Sequence, residues 1–139
     1  MNFLKGAYKN VINKVRNDLG FENLPIFIHG YDYAIPYPCL GQDPRNPIYA
    51  AKNEWLGEPL DQRNIMDPTL RHRIIKHMID RLYKMMEEVS GDPLQTGVWL
   101  IDCRGSMPEV TDWIDEIHRT SDGFKKVAER FVEVIKKAL

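Results

Sequence analysis

The sequence predicts an α/β protein with a short parallel sheet between helices. Three observations carry this. Apolar residues recur at helical spacing in three separate stretches. Two short apolar runs without that spacing, Leu24–His29 and Val98–Asp102, lie between those stretches. The segment joining the two runs is long enough to hold the crossover helix that a parallel strand pair requires. With 139 residues there is room for one core, and residues 1–139 are assigned to a single domain.

Taking the elements in order, Leu4, Tyr8, Val11, Ile12, Val15 and Leu19 recur at steps of three and four, and Gly20 follows as a stop signal. They predict a helix from Asn2 to Leu19 with one buried face. Leu24-Pro25-Ile26-Phe27-Ile28-His29 does not alternate with polar residues and ends at Gly30, which predicts a strand covered on both faces. From Gly30 to Met66 the chain is rich in Pro, Gly, Tyr and Asn and longer than an ordinary connection. Tyr31, Tyr33, Tyr37, Tyr49 and Trp55 give this loop apolar area that argues for order. Asp67-Pro68 supplies an N-cap and a first-turn proline for a long helix through Val89, ending before Gly91. Its expected inner stripe is Leu70, Ile74, Met78, Leu82, Met85 and Val89, flanked by Ile75, Ile79 and Met86. Val98-Trp99-Leu100-Ile101-Asp102 is the second strand. Ser121-Asp122 then caps a last helix whose expected inner face is Phe124, Val127, Ala128, Phe131, Ile135 and Leu139.

Composition narrows the function. A formal net charge of −1 creates no field for nucleic acid or an anionic membrane. Lys136-Lys137 sits where it complements a helix dipole. No apolar run approaches the roughly 20 residues that cross a bilayer, and the amphipathic segment from Met1 to Lys14 does not read as a signal peptide. A cytoplasmic location is expected from the sequence as written. Cys39 and Cys103 lack metal-site or disulfide-scaffold spacing and read as structural free thiols. His72 and His77 are five apart with no further ligands beside them, so no metal or other cofactor is expected. His29 reads as a structural histidine. Tyr31, Asp32 and Tyr33 either shape a pocket or close the sheet edge. Two parallel strands leave apolar edges open. Further strands from the long loop, a second copy of the chain, or a separate N-terminal half would cover them.

Chemistry concentrates in Trp113-Ile114-Asp115-Glu116-Ile117-His118-Arg119-Thr120-Ser121-Asp122-Gly123-Phe124. Asp115 precedes His118 by three residues, in the connection between the second strand and the last helix, near the sheet edge where open α/β folds place ligands. A carboxylate bonded to one imidazole nitrogen fixes the tautomer and leaves the other nitrogen as a base for a hydroxyl nucleophile.

In this block the chain resembles the SGNH or GDSL-type hydrolases, esterases and lipases with a serine nucleophile on a flavodoxin-like sandwich. Trp113, Asp115, Glu116, His118, Thr120, Gly123 and Phe124 look like the family's last block, often W-x-D-E-x-H-P-T-x-x-G-F. Ile28-His29-Gly30-Tyr31-Asp32-Tyr33-Ala34-Ile35-Pro36 and Ile101-Asp102-Cys103-Arg104-Gly105 are similar to segments of one subgroup. The resemblance spans about residues 10 to 138. It implies a partial flavodoxin-like, three-layer α/β/α fold, with Asp115 orienting His118 and His118 activating a serine that attacks a carboxylic ester. Arg119 departs from the family, which usually has proline there.

The larger departure is the absence of the Gly-Asp-Ser and Gly-x-Asn-Asp blocks that carry the family's nucleophile and oxyanion donors. Of the serines present, Ser90 ends a helix, Ser121 reads as a cap, and Ser106 lies in a loop with no strand-to-helix elbow to expose it. The sequence therefore reads as the C-terminal part of an ester hydrolase, inactive alone and completed by an N-terminal half or a partner chain. The alternative is a non-catalytic α/β interaction or oligomerisation module. A complete small hydrolase using Ser106 is a third reading.

Overall fold

A computed structural model describes residues 2–46, 48 and 54–139; the expected loop aromatic Tyr49 lies outside the described residues. Helix α1 (Asn2–Asn13) passes into a π-helical turn over Lys14–Asp18 instead of continuing as an α-helix to Leu19. Gly20 then reverses the chain at φ 73°, a left-handed conformation that glycine adopts without a Cβ clash. Arg16, on the π turn, donates to the carbonyls of Leu24 at 2.9 Å and Thr96 at 2.8 Å. One guanidinium thus ties the end of α1 to the approaches of both strands.

The strands are β1 (Ile26–His29) and β2 (Val98–Ile101), paired in parallel with Ile26 opposite Val98 and His29 opposite Ile101. The expected class is borne out as a small α/β fold with a two-stranded parallel sheet. Between them run a short helix α2 (Gly57–Asp61) and the long crossover helix α3 (Pro68–Ser90). After β2 come a 3-10 turn (Val110–Asp112) and helix α4 (Ser121–Ala138). Among the described residues the long loop adds no strand to the sheet.

Strand side chains alternate between two packed clusters. Ile26, Ile28, Val98 and Leu100 pack with Tyr8 and Ile12 of α1 and Tyr83, Met86 and Val89 of α3. Phe27 and Ile101 pack with Trp113 and with Val127 and Phe131 of α4. The expectation of a strand covered on both faces holds only for part of β1. Ile28 is buried, Ile26 and Phe27 are half-buried, and His29 is exposed with its ring edge against Phe131 at 5.0 Å.

The expected inner faces of the two long helices are borne out in part, at Ile75, Met85, Met86 and Val89 of α3 and at Val127 and Phe131 of α4. In α3 the buried positions are Arg71, Ile75, Tyr83, Met85, Met86 and Val89, while Leu70 and Met78 are exposed. In the first turns of α3 a core-facing place is taken by Arg71. Its buried guanidinium donates to the carbonyls of Ile65 at 2.7 Å and Tyr37 at 2.8 Å and pairs with Asp61, so a charged residue occupies a core-facing turn. In α4, Gly123 and Val127 are buried, with Phe131 and Val134 packed beside the core, whereas Phe124, Ala128 and Leu139 face solvent. Its cap is Thr120, which accepts from the Gly123 amide at 3.2 Å, and not Ser121 as expected. The Asp67 cap is as expected, accepting from the Leu70 amide at 2.8 Å.

Past β1 the backbone crosses tightly over α3. A Cβ on Gly30 would lie 2.7 Å from Met86 Cε and 3.0 Å from the Tyr83 ring. The Tyr83 hydroxyl accepts the Cys103 amide at 2.9 Å, and burial pushes both the Tyr83 phenol and the Cys103 thiol above their ordinary pKa values. Cys39 and Cys103 are both buried free thiols. No helix among the described residues is long and apolar enough to cross a membrane.

Candidate active site

Residues 112–120 form a stapled turn between the sheet and α4. Trp113 bridges Arg119 in antiparallel fashion, and the Ile114 amide donates to the His118 carbonyl at 2.8 Å. The Thr120 amide donates to Asp112 O at 2.8 Å, while Lys126 of α4 holds the buried Asp112 carboxylate at 2.7 Å. A Cβ on Gly123 would lie 2.5 Å from Asp112 O, so only glycine lets α4 start this close to the turn.

Within the turn, Asp115 Oδ1 accepts the amides of Ile117 at 2.9 Å and His118 at 2.7 Å. Its other oxygen, Oδ2, lies 2.7 Å from His118 Nδ1. The spacing of three residues therefore has a local cause, because the carboxylate that turns the chain also receives the imidazole. Partial burial pushes the Asp115 carboxyl up, but the two amides and the imidazole outweigh it and leave the group below its ordinary value of 3.8. The His118 side chain is 57% exposed, and Nε2 has no partner among the described residues. With Nδ1–H donated to Asp115, Nε2 is the free acceptor.

The neighbouring Glu116 is fully buried and faces the other way. Its carboxylate accepts four backbone amides, from Tyr37 at 2.7 Å, Gly57 at 2.8 Å, Leu56 at 2.8 Å and Trp55 at 3.1 Å. These bonds bring the aromatic loop to the turn, and the Trp55 ring meets the His118 ring edge-on with centroids 5.8 Å apart. Arg45, also buried, joins the same assembly by donating to Ile35 O at 2.8 Å and Asp115 O at 3.1 Å while paired with Asp43. Tyr31 donates its hydroxyl to Ile117 O at 2.6 Å and stacks on Trp113. The resulting cleft of about 410 Å³ is lined by Tyr31, Ile114, Asp115, Ile117, His118, Arg119 and Phe124.

No family model, curated protein or solved structure matches this chain.

The remaining expected residues take separate places. Asp32 is buried and accepts the amides of Gly105 at 2.6 Å, Met107 at 2.6 Å and Tyr33 at 2.7 Å, so it ties the loop after β1 to the loop after β2. Tyr33 turns outward and donates to Asp80 at 2.6 Å. Of the three residues left open between pocket and sheet edge, Tyr31 alone lines the His118 cleft.

Ser106 is not brought to His118. Its hydroxyl lies 2.7 Å from the Cys103 carbonyl and 3.2 Å from Asp32 Oδ2. It opens on a different hollow, lined by Lys126, Glu129 and Glu133. The reading of a complete hydrolase using Ser106 is thereby corrected, because the hydroxyl is bonded to the Cys103 carbonyl and Asp32 and does not line the cleft that holds His118. Ser90 closes α3 on Glu87 O at 3.3 Å. His72 and His77 line different hollows, and among the described residues no group of three or more His, Cys, Asp or Glu side chains is placed to hold a metal.

Glu116 and Arg45 were missed as organisers of the site. The signal available for Glu116 was an acidic residue between Ile114 and Ile117, next to a loop whose amides had no secondary structure to satisfy them.

Proposed function

We propose that this chain is the C-terminal part of an SGNH/GDSL-type serine hydrolase acting on carboxylic esters, with the flavodoxin-like sandwich completed by polypeptide outside this sequence. The observation that carries the reading is the 2.7 Å contact between Asp115 Oδ2 and His118 Nδ1, with His118 lining the cleft and its Nε2 unpartnered among the described residues. Asp115 orients the imidazole and stabilises its protonated form; His118 takes the proton of an incoming serine hydroxyl. The serine and the oxyanion donors come from elsewhere, since the Ser106 hydroxyl is held by Cys103 O and Asp32. A base and its orienting acid alone supply little catalysis.

The test is p-nitrophenyl acetate hydrolysis by the chain alone and after addition of an N-terminal polypeptide carrying a Gly-Asp-Ser block. The chain alone gives no saturable turnover, and the mixture does. His118→Ala lowers the restored rate by roughly 10²- to 10⁴-fold, the range for loss of a general base. Saturable turnover by the isolated chain that disappears in His118→Ala would show that it needs no outside serine. A restored rate unaffected by His118→Ala would remove His118 from the chemistry.

A second reading, a non-catalytic interaction or oligomerisation module, is favoured by the two-stranded sheet and by exposed apolar residues of α1, Phe3 at 91% and Val11 at 64%. It calls for a stable partner or second copy, and for no ester turnover in any mixture.

A further inference from the structure

We infer that the His118 cleft takes esters that also carry a free carboxylate on a short apolar stem, with Arg119 receiving the carboxylate. This rests on the hydrolase reading for the ester and on independent features for the acid. Arg119 lines the cleft with its guanidinium carbon 4.4 Å from the Tyr31 ring centroid and 5.6 Å from that of Phe124. Stacking on two aromatics fixes the plane of the guanidinium. Among the described residues this group has neither a carboxylate partner nor a hydrogen-bond acceptor, and its Nε is buried without one. The two fully buried guanidiniums are neutralised, Arg45 by Asp43 and Arg71 by Asp61, and the part-buried Arg16 is held by backbone carbonyls, whereas Arg119 has neither kind of partner among the described residues. Arg119 is therefore a held cation that no carboxylate among the described residues neutralises, in a cleft that also contains His118.

The chemistry of a fitting ligand follows from the walls. A planar guanidinium matches a carboxylate through paired N–H donors, and an apolar surround strengthens the bond. Ile114, Ile117 and Phe124 offer hydrocarbon surface to the stem between acid and ester. Asp115 is the other charge in the cleft. Its Oδ1 is occupied by two amides and its Oδ2 by the imidazole, so its charge is directed into the turn and toward His118.

The test compares monomethyl adipate with dimethyl adipate, two esters of equal stem length that differ in the free carboxylate, by amide chemical-shift titration of the full chain. The half-ester binds at least about tenfold more tightly, as expected for a charge-assisted hydrogen bond, and shifts the amides of residues 114–119. Arg119→Met brings the two affinities together while amides away from the cleft keep their positions. If Arg119→Met does not fold, Arg119→Lys keeps the charge without the planar fork and reduces the preference. Equal affinities in the unaltered chain, or a preference that survives Arg119→Met, overturn the inference. The titration reads binding and not turnover, so a failure of the hydrolase reading, seen in the ester assay, and a failure of this one are told apart.

Discussion

Asp115 serves the backbone with one oxygen and the imidazole with the other, and this makes the candidate base pair sensitive to acid. Its carboxyl lies below the ordinary 3.8, because the amides of Ile117 and His118 and the imidazole outweigh the opposing effect of burial. For a lowered carboxyl, the stabilisation is complete above the unfolded value and is lost as pH falls through the folded one. The Ile117 and His118 amide shifts should therefore titrate with a midpoint below 3.8, and the transition should vanish in Asp115→Asn. A midpoint above 3.8 would mean that the turn does not hold the carboxylate in its charged form. At this scale Asp115 and His118 were legible because their relation is local and rests on a short turn. Glu116 was not, since its partners are amides 59 to 79 residues away that carry no side-chain signature.

The helices show which patterns a sequence carries well. Their existence, their order and the Asp67 cap were readable from apolar recurrence and from the Asp-Pro pair. The full membership of their buried faces was not, because periodicity counts apolar residues, whereas α3 buries Arg71 on Ile65 O, Tyr37 O, Asp61 and Met66 Sδ and α4 buries a glycine. The close approach at Gly123 yields a prediction for this scale. In Gly123→Ala the new Cβ would stand 2.5 Å from Asp112 O and 3.1 Å from Met107 Sδ, with backbone on one side that has little room to yield. We expect a loss of about 1–3 kcal/mol in urea denaturation, the range for overpacking. Gly6→Ala in α1 is the matched control, since a Cβ there meets nothing within 4 Å. It should gain about 0.5–1 kcal/mol from helix propensity. Similar effects from the two substitutions would show that α4 is not packed against the turn as described.

For the whole molecule, the α/β class followed from two apolar runs joined by a crossover helix, and that inference needed no knowledge of the site. The small sheet also leaves β1 with one unpaired edge among the described residues. Open edges and exposed apolar side chains such as Phe3 and Val11 favour association. Light scattering of the isolated chain should give a mass that rises with concentration; a monomer mass independent of concentration would remove both self-association and the need for edge cover.

The loop beside His118 is gripped by a feature that every residue except proline possesses. Glu116 holds the main-chain N–H groups of positions 37, 55, 56 and 57 rather than what projects from them. The wall facing the imidazole can therefore change its lettering while its foundation stays in place. Replacing the Trp55 indole alters what stands against the His118 ring, yet the carboxylate below still has the same hydrogens to grasp. Shape at the surface and attachment at the base are separable, so what stands beside the imidazole can change without rebuilding the turn that carries Asp115 and His118.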